Sequence, residues 1–244
     1  MNFSPIDMKQ WYRVQTFMYF SQMAPTNYSL TVNVDVTKLR QTLKAHEMKF
    51  YPAYLWLVTK HLNEQQEFKI AEKDGQIGYF DILTPFYAVF HENDHSFSML
   101  WTEYSDEFKT FYAQYLENQQ KYGDNHGFLG QPELPPPNAY TVSCMPWVRF
   151  THFSVQTDNK HYYFPSVEAG KFIEKDGHTL LPLSITCHHA ATDGYHIKTF
   201  LNALQQSMDA FEQFICVCRS DCHSCTGILP TLAGGCPRAL PGKL

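Results

Sequence analysis

The sequence predicts an α/β (α+β) domain in which a mixed β-sheet is flanked by helices, and three observations carry that prediction. Residues 28–36 alternate Leu30, Val32, Val34 and Val36 with polar side chains, the period of a strand buried on one face. After Gly194, the side chains of Ile197, Phe200, Leu201, Leu204, Met208 and Phe211 recur at helical spacing and form one apolar stripe. Between these two segments the order of strands and helices is mixed rather than strictly alternating.

Taken in order, residues 7–19 read as a short helix that precedes the first clear strand. Thr37 is expected to cap a helix holding Leu39 and Leu43, and a more apolar helix follows Pro52 through Ala53, Leu55, Leu57 and Val58. Residues 68–81 pair two short runs across Lys73-Asp74-Gly75, a hairpin signal because Asp-Gly suits a tight turn. Two aromatic-rich runs at 85–91 and 96–104 follow. Asp106 then opens a helix with Phe108, Phe111, Tyr112, Tyr115 and Leu116 on one side, and the rigid loop around Pro135-Pro136-Pro137 ends the region. Residues 140–145, 148–155, 166–174 and 179–188 all suit strands separated by turn residues.

A chain of 244 residues can bury one sizeable core, so one domain is the default. With 24 Asp and Glu against 19 Lys and Arg, it presents no general field for nucleic acid or an anionic membrane, and any anionic ligand must meet local cations. The amino terminus lacks a basic segment followed by an apolar core, which predicts a cytoplasmic protein. Of 7 cysteines only Cys144 and Cys187 lie in the body of the chain, so no disulfide framework is expected. The stretch 213–244 has clustered thiols and little periodicity and reads as an appended tail behind a catalytic domain at 1–212. Cys216, Cys218, Cys222 and Cys225 could hold zinc, but the preferred reading is an extension with no metal required.

The chemistry concentrates in residues 181–194, where a strand delivers His188 and His189 to its end and Asp193-Gly194 opens the long helix. Imidazole suits proton abstraction near neutral pH, and a base fixed at a strand end can face a cleft. His188 reads as the structural member of the pair. Cys187 reads as a buried thiol rather than a nucleophile, since no activating group is evident.

The pattern His188-His189-x-x-x-Asp193-Gly194 resembles the signature of CoA-dependent acyltransferases, and its neighbours resemble chloramphenicol acetyltransferases in particular. Those neighbours are Trp11-Tyr12-Arg13, Lys49-Phe50-Tyr51-Pro52, the run 86–92, Phe97-Ser98, the run 143–148 and Leu181-Pro182-Leu183. The resemblance implies the two-layer acyltransferase fold, a homotrimer with active sites between subunits, and acetyl transfer from acetyl-CoA to the primary hydroxyl of chloramphenicol. It makes His189 the general base and Ser143 the oxyanion donor, and pairs Arg13 with Asp193 as a structural ion pair. It places Tyr19, Phe20, Thr26, Tyr28, Phe97 and Val155 around the drug, and Lys49, Trp147 and Lys171 beside CoA.

The sequence departs from the family pattern at the pocket positions Thr26, Tyr19 and Phe20, where some members have cysteine, phenylalanine and tyrosine, and at Glu168. Glu168 stands where the best-known members have threonine, and a carboxylate there would repel a developing oxyanion unless it points away or is paired. The alternatives to an active enzyme of this class are a catalytically weak drug-binding protein and the core of a dihydrolipoamide acyltransferase. The latter normally follows lipoyl modules and an Ala/Pro-rich linker, which this compact chain lacks upstream of the histidines.

Overall fold

The computed structural model describes residues 1–155 and 161–215, so the cysteine-rich stretch 216–244 lies outside the described residues. The chain runs β1 (Phe3–Pro5), α1 (Val14–Met18), β2 (Asn27–Asp35), α2 (Thr37–Ala45), α3 (Phe50–Asn63), β3 (Ile70–Lys73), β4 (Gln76–Phe80), β5 (Thr84–His91) and β6 (Ser96–Trp101). It continues through α4 (Phe108–Tyr122), β7 (Ala139–Cys144), β8 (Ser166–Ala169), β9 (Ile173–Lys175), β10 (His178–His188) and α5 (Gly194–Asp209).

A 7-stranded sheet has the order β2-β10-β8-β7-β5-β6, with β9 added to β10. It is mixed: β7 runs parallel to both β5 and β8, and the other pairs are antiparallel. Alternation divides β10 cleanly. Leu181, Leu183, Ile185 and Cys187 join the main core, while Ser184, Thr186 and His188 point to the opposite, back face. The helices lie over the core face, with α3 packed between α4 and α5. α3 is apolar on every side and accordingly buried from Pro52 to Thr59, whereas α5 buries one face, the stripe of Ile197, Phe200, Leu204 and Met208 together with His196 and Ser207. Burying four such side chains contributes roughly 1.5–3 kcal/mol each.

Several expected elements differ. Residues 148–155 form no strand, because β7 and β10 already have neighbours on both sides and leave no edge to pair with. Instead the segment lies on the back face, where sheet hydroxyls take the place of a ladder. Phe153 N–H donates to Thr31 Oγ1, Val155 N–H to Thr186 Oγ1, and Ser184 Oγ to the Phe153 carbonyl. The run 166–174 divides into β8 and β9 at Gly170, whose N–H turns to the Pro182 carbonyl.

Thr37 is the first residue of α2 and not its cap. The Asp35 carboxylate accepts from the Thr37 N–H at 2.9 Å, and Thr37 Oγ1 accepts from Thr179 N–H at 2.8 Å. The expected helix at 7–19 shrinks to α1, preceded by turns around Asp7 and prolonged by a π turn over Tyr19–Met23. The hairpin of β3 and β4 forms across Asp74 and Gly75, both at positive φ (52° and 75°), and a short strand not foreseen from the sequence, β1, adds to β4 as a second, 3-stranded sheet.

Candidate active site

His189 follows the last residue of β10, and its backbone N–H is tied to the Thr26 carbonyl at 2.8 Å, just before β2. Its ring Nδ1 lies 3.0 Å from the carbonyl oxygen of Thr192. A carbonyl can only accept, so Nδ1 carries the proton and Nε2 is left with the lone pair. The ring is clamped between aromatic side chains: Phe20 stacks on it at 4.1 Å and Tyr28 lies at 5.0 Å, with the Tyr28 hydroxyl donating to Thr192 Oγ1. Phe20 reaches this position from the π turn, whose extra residue per turn rotates the side chain out of ordinary helical register. Tyr19 packs edge-on against Phe20 at 5.0 Å.

Asp193 is the N-cap of α5. Its Oδ1 accepts from the Tyr195 N–H at 3.0 Å, and its own N–H donates to His196 Nδ1 at 3.1 Å, closing a capping box. Its other oxygen accepts from Arg13 Nη1 at 2.9 Å. Arg13 is buried, and its Nε and Nη2 find no acceptor among the described residues. Burial raises the Asp193 carboxyl, but the Arg13 bond, nearby His196 and the Tyr195 N–H outweigh it and hold the group below its ordinary value. Behind this loop His196 Nε2 faces Glu67 at 3.7 Å, and the Tyr12 hydroxyl donates to Glu67. The residues Thr192, His196 and Glu67 were not singled out in the sequence; only the Asp193–His196 spacing, matching a capping box, carried a signal.

His188 turns the other way, into the protein, where Tyr163 packs edge-on against it and its Nδ1 accepts from the Ala190 N–H. Burial, followed by the neighbouring His189, lowers its pKa. The Cys187 thiol is buried on the core face and pushed up to about 12, so it remains a thiol and offers no nucleophile.

Ser143 is elsewhere. It sits on β7 opposite Glu168 of β8, which is opposite Ser184 of β10. Two strand spacings across and four residues along separate Ser143 from the end of β10, on the order of 16 Å. One copy of the chain therefore does not bring Ser143 to His189. Phe97, 52% exposed, is more remote still, on β6 at the opposite sheet edge from Thr26 and Tyr28.

Two cavities open along the sheet. One, of about 400 Å³, lies on the back face and is lined by Phe86, Thr141, Val155, Tyr162, Phe164, Ser166 and His188. The other, of about 610 Å³, opens beside the carboxyl ends of β7 and β8 and is lined by Phe50, Phe90, Trp147, Gly170, Lys171 and Phe172. Lys49 immediately precedes Phe50 at its rim, and Trp147 packs edge-on against Phe90 at 4.6 Å. The Ser143–Glu168 pair lies between them, with Thr141 and Ser166 on one side and Gly170 on the other.

The chloramphenicol acetyltransferase family profile matches residues 1–205. The chain belongs to the chloramphenicol acetyltransferase family. It is 35% identical over 217 residues to a chloramphenicol acetyltransferase of Clostridium butyricum, covering 88% of this chain and 99% of the relative. It is 39% identical over 208 residues to one from Clostridioides difficile, covering 84% and 96%. Among solved structures, a chloramphenicol acetyltransferase superposes with a TM-score of 0.75 at 23% identity, covering 85% of this chain and 100% of the other. A dihydrolipoamide acetyltransferase of Azotobacter vinelandii superposes with a TM-score of 0.60 at 15% identity, over 88% and 100%, which shows a shared fold. Among the described residues no helix is long and apolar enough to cross a membrane, and no group of three or more His, Cys, Asp or Glu is placed to hold a metal ion.

Proposed function

We propose that the protein transfers an acetyl group from acetyl-CoA to the primary hydroxyl of chloramphenicol, inactivating the antibiotic in the cytoplasm. The observation that carries this reading is the tautomer of His189. With Nδ1–H committed to the Thr192 carbonyl, Nε2 is a base held by a rigid strand end and an aromatic clamp. Family membership supplies the reaction class, and the relatives' name supplies the acceptor.

In this mechanism His189 Nε2 takes the hydroxyl proton as the drug oxygen bonds to the thioester carbon. Ser143 donates to the oxyanion of the tetrahedral intermediate. When the carbon–sulfur bond breaks, His189 returns its proton to the leaving sulfur, so no acyl group rests on the protein. Lys171 and Lys49 meet CoA phosphates at the larger cavity, with Trp147 along its wall, giving the local positive charge that the acidic chain otherwise lacks. The smaller, aromatic-walled cavity suits the nitrophenyl ring and includes Val155.

The separation of Ser143 from His189 supports a reading in which His189 of one copy completes the site of another, as a homotrimer would allow around a closed ring. In that assembly Tyr19, Phe20, Thr26 and Tyr28 travel with His189 and close the acceptor cavity of the neighbour. Arg13 and Asp193 hold the His189 loop and take no part in proton transfer.

The test follows chloramphenicol-dependent thiol release from acetyl-CoA. Wild type releases thiol and His189→Ala does not. Co-assembled His189→Ala and Ser143→Ala subunits regain about a quarter of wild-type turnover, the share of interfaces with both groups intact in random trimers. Saturable drug binding without thiol release would instead identify a binding protein, and no regain on mixing would place the whole site in one copy.

A further inference from the structure

Glu168 is buried, at 1% exposure, yet among the described residues no cation pairs with it. One oxygen, Oε1, accepts from Ser166 Oγ at 2.7 Å; the other, Oε2, has no hydrogen-bond partner among the described residues. An isolated buried carboxylate costs so much that such a group keeps its proton, and a protonated carboxyl with a free oxygen is an unused hydrogen-bond donor. Its neighbours in the row across the back face are already engaged. Thr31 donates to Ser184, and Ser184 donates to the Phe153 carbonyl. Ser143, directly opposite on β7, is the exception, with its side chain on the same face roughly 5 Å away. Two donors at that spacing can both reach a single oxygen placed between them, and along the strands the pair falls between Thr141 and Ser166, which line one cavity, and Gly170, which lines the other.

We propose that Glu168, in its protonated form, is a second hydrogen-bond donor to the oxyanion beside Ser143. The proposal rests on the acetyl-transfer reading above and adds a catalytic group to it. It also reverses the expected effect of this residue, because an acid that keeps its proton stabilises the oxyanion that a carboxylate would repel. Burial pushes the carboxyl up to about 7, opposed by the Ser166 bond. The titratable groups that couple to it are Tyr54 of α3 and Cys187 of β10, both raised by burial and neutral. Cys144 on β7 is likewise raised, and the overlying segment 148–155 contributes Arg149 and His152, both exposed.

The experiment measures kcat and KM against pH for wild type, Glu168→Gln and Glu168→Leu, with His189→Ala as the blank. Wild-type kcat falls about tenfold per pH unit above about pH 7, where the donor is lost. Glu168→Gln, a donor at every pH, lacks that alkaline fall. Glu168→Leu loses on the order of a hundredfold in kcat at about pH 6.5, with KM little changed. Difference infrared spectra of the free protein give a reading independent of turnover: a carboxylic-acid carbonyl band present at about pH 6, lost above about pH 8 and absent in Glu168→Gln. A wild-type profile without the alkaline fall, a Gln variant that retains it or is inactive throughout, or no such band would overturn the proposal and leave the acetyltransferase reading standing. Absence of drug-dependent thiol release in wild type at every pH would remove both.

Discussion

Exchanging Glu168 for Gln keeps the shape of the side chain and deletes its proton equilibrium, so folding stability can report the buried acid without any substrate. In the unfolded chain this carboxyl ionises near its ordinary 4.5, and in the folded protein near 7. Because the folded value is the higher one, the folded state binds the proton more tightly, and stability falls as pH rises above about 4.5 and levels off above about 7. The gap between those values corresponds to roughly 3 kcal/mol once both states are ionised, at about pH 8.5, and to about 1 kcal/mol at about pH 5. Glu168→Gln is free of this pH-dependent cost. Its stability relative to wild type should therefore improve by about 2–3 kcal/mol between those two conditions, or roughly 5–10 °C in Tm for a domain of this size. Denaturant melts of both proteins at matched protomer concentration measure it, and all other titrating groups cancel in the difference. A wild-type-to-Gln difference that stays constant within about 0.5 kcal/mol would show that Glu168 is ionised in the folded protein and refute the reasoning.

Two further outcomes follow from the loop and the hairpin. Asp193→Asn keeps an N-cap acceptor for α5 but removes the charge facing Arg13, and should cost about 2–3 kcal/mol in thermal or denaturant melts, less than a fully buried pair because Asp193 is 37% exposed; Asp193→Ala should cost about 1 kcal/mol more through loss of the cap. Equal losses for both variants would assign the cap no energetic role. Gly75→Ala should cost about 1 kcal/mol with kcat unchanged, since its φ of 75° disfavours a Cβ although nothing crowds the position, and an unaltered midpoint would contradict that.

What the sequence made legible was periodic or local. The alternation at 28–36 became β2, the stripe after Gly194 became α5, and Asp74-Gly75 became the turn it suggested, because each depends on neighbours within one element. His189 was legible for the same reason: a strand period, two imidazoles and a helix-opening Asp-Gly lie within a few residues. The stretch 148–155 misled because strand-like composition says nothing of whether a sheet edge is free. Likewise the π turn that carries Phe20 onto His189 has no sequence period of its own.

The sequence by itself thus determined the strongly periodic strands and helices, the histidine motif and the family to which they point. Only the tertiary structure decided the tautomer of His189, the distance between His189 and Ser143, and the environment of Glu168. A hydrogen bond to the Thr192 carbonyl, a strand order that inserts β8 between β7 and β10, and the segment 148–155 laid over a row of hydroxyls are each contacts between residues far apart in the chain or fixed by backbone geometry. Side-chain chemistry is written residue by residue, but the proton a buried group keeps is set by what surrounds it, and that surrounding exists only once the chain has folded.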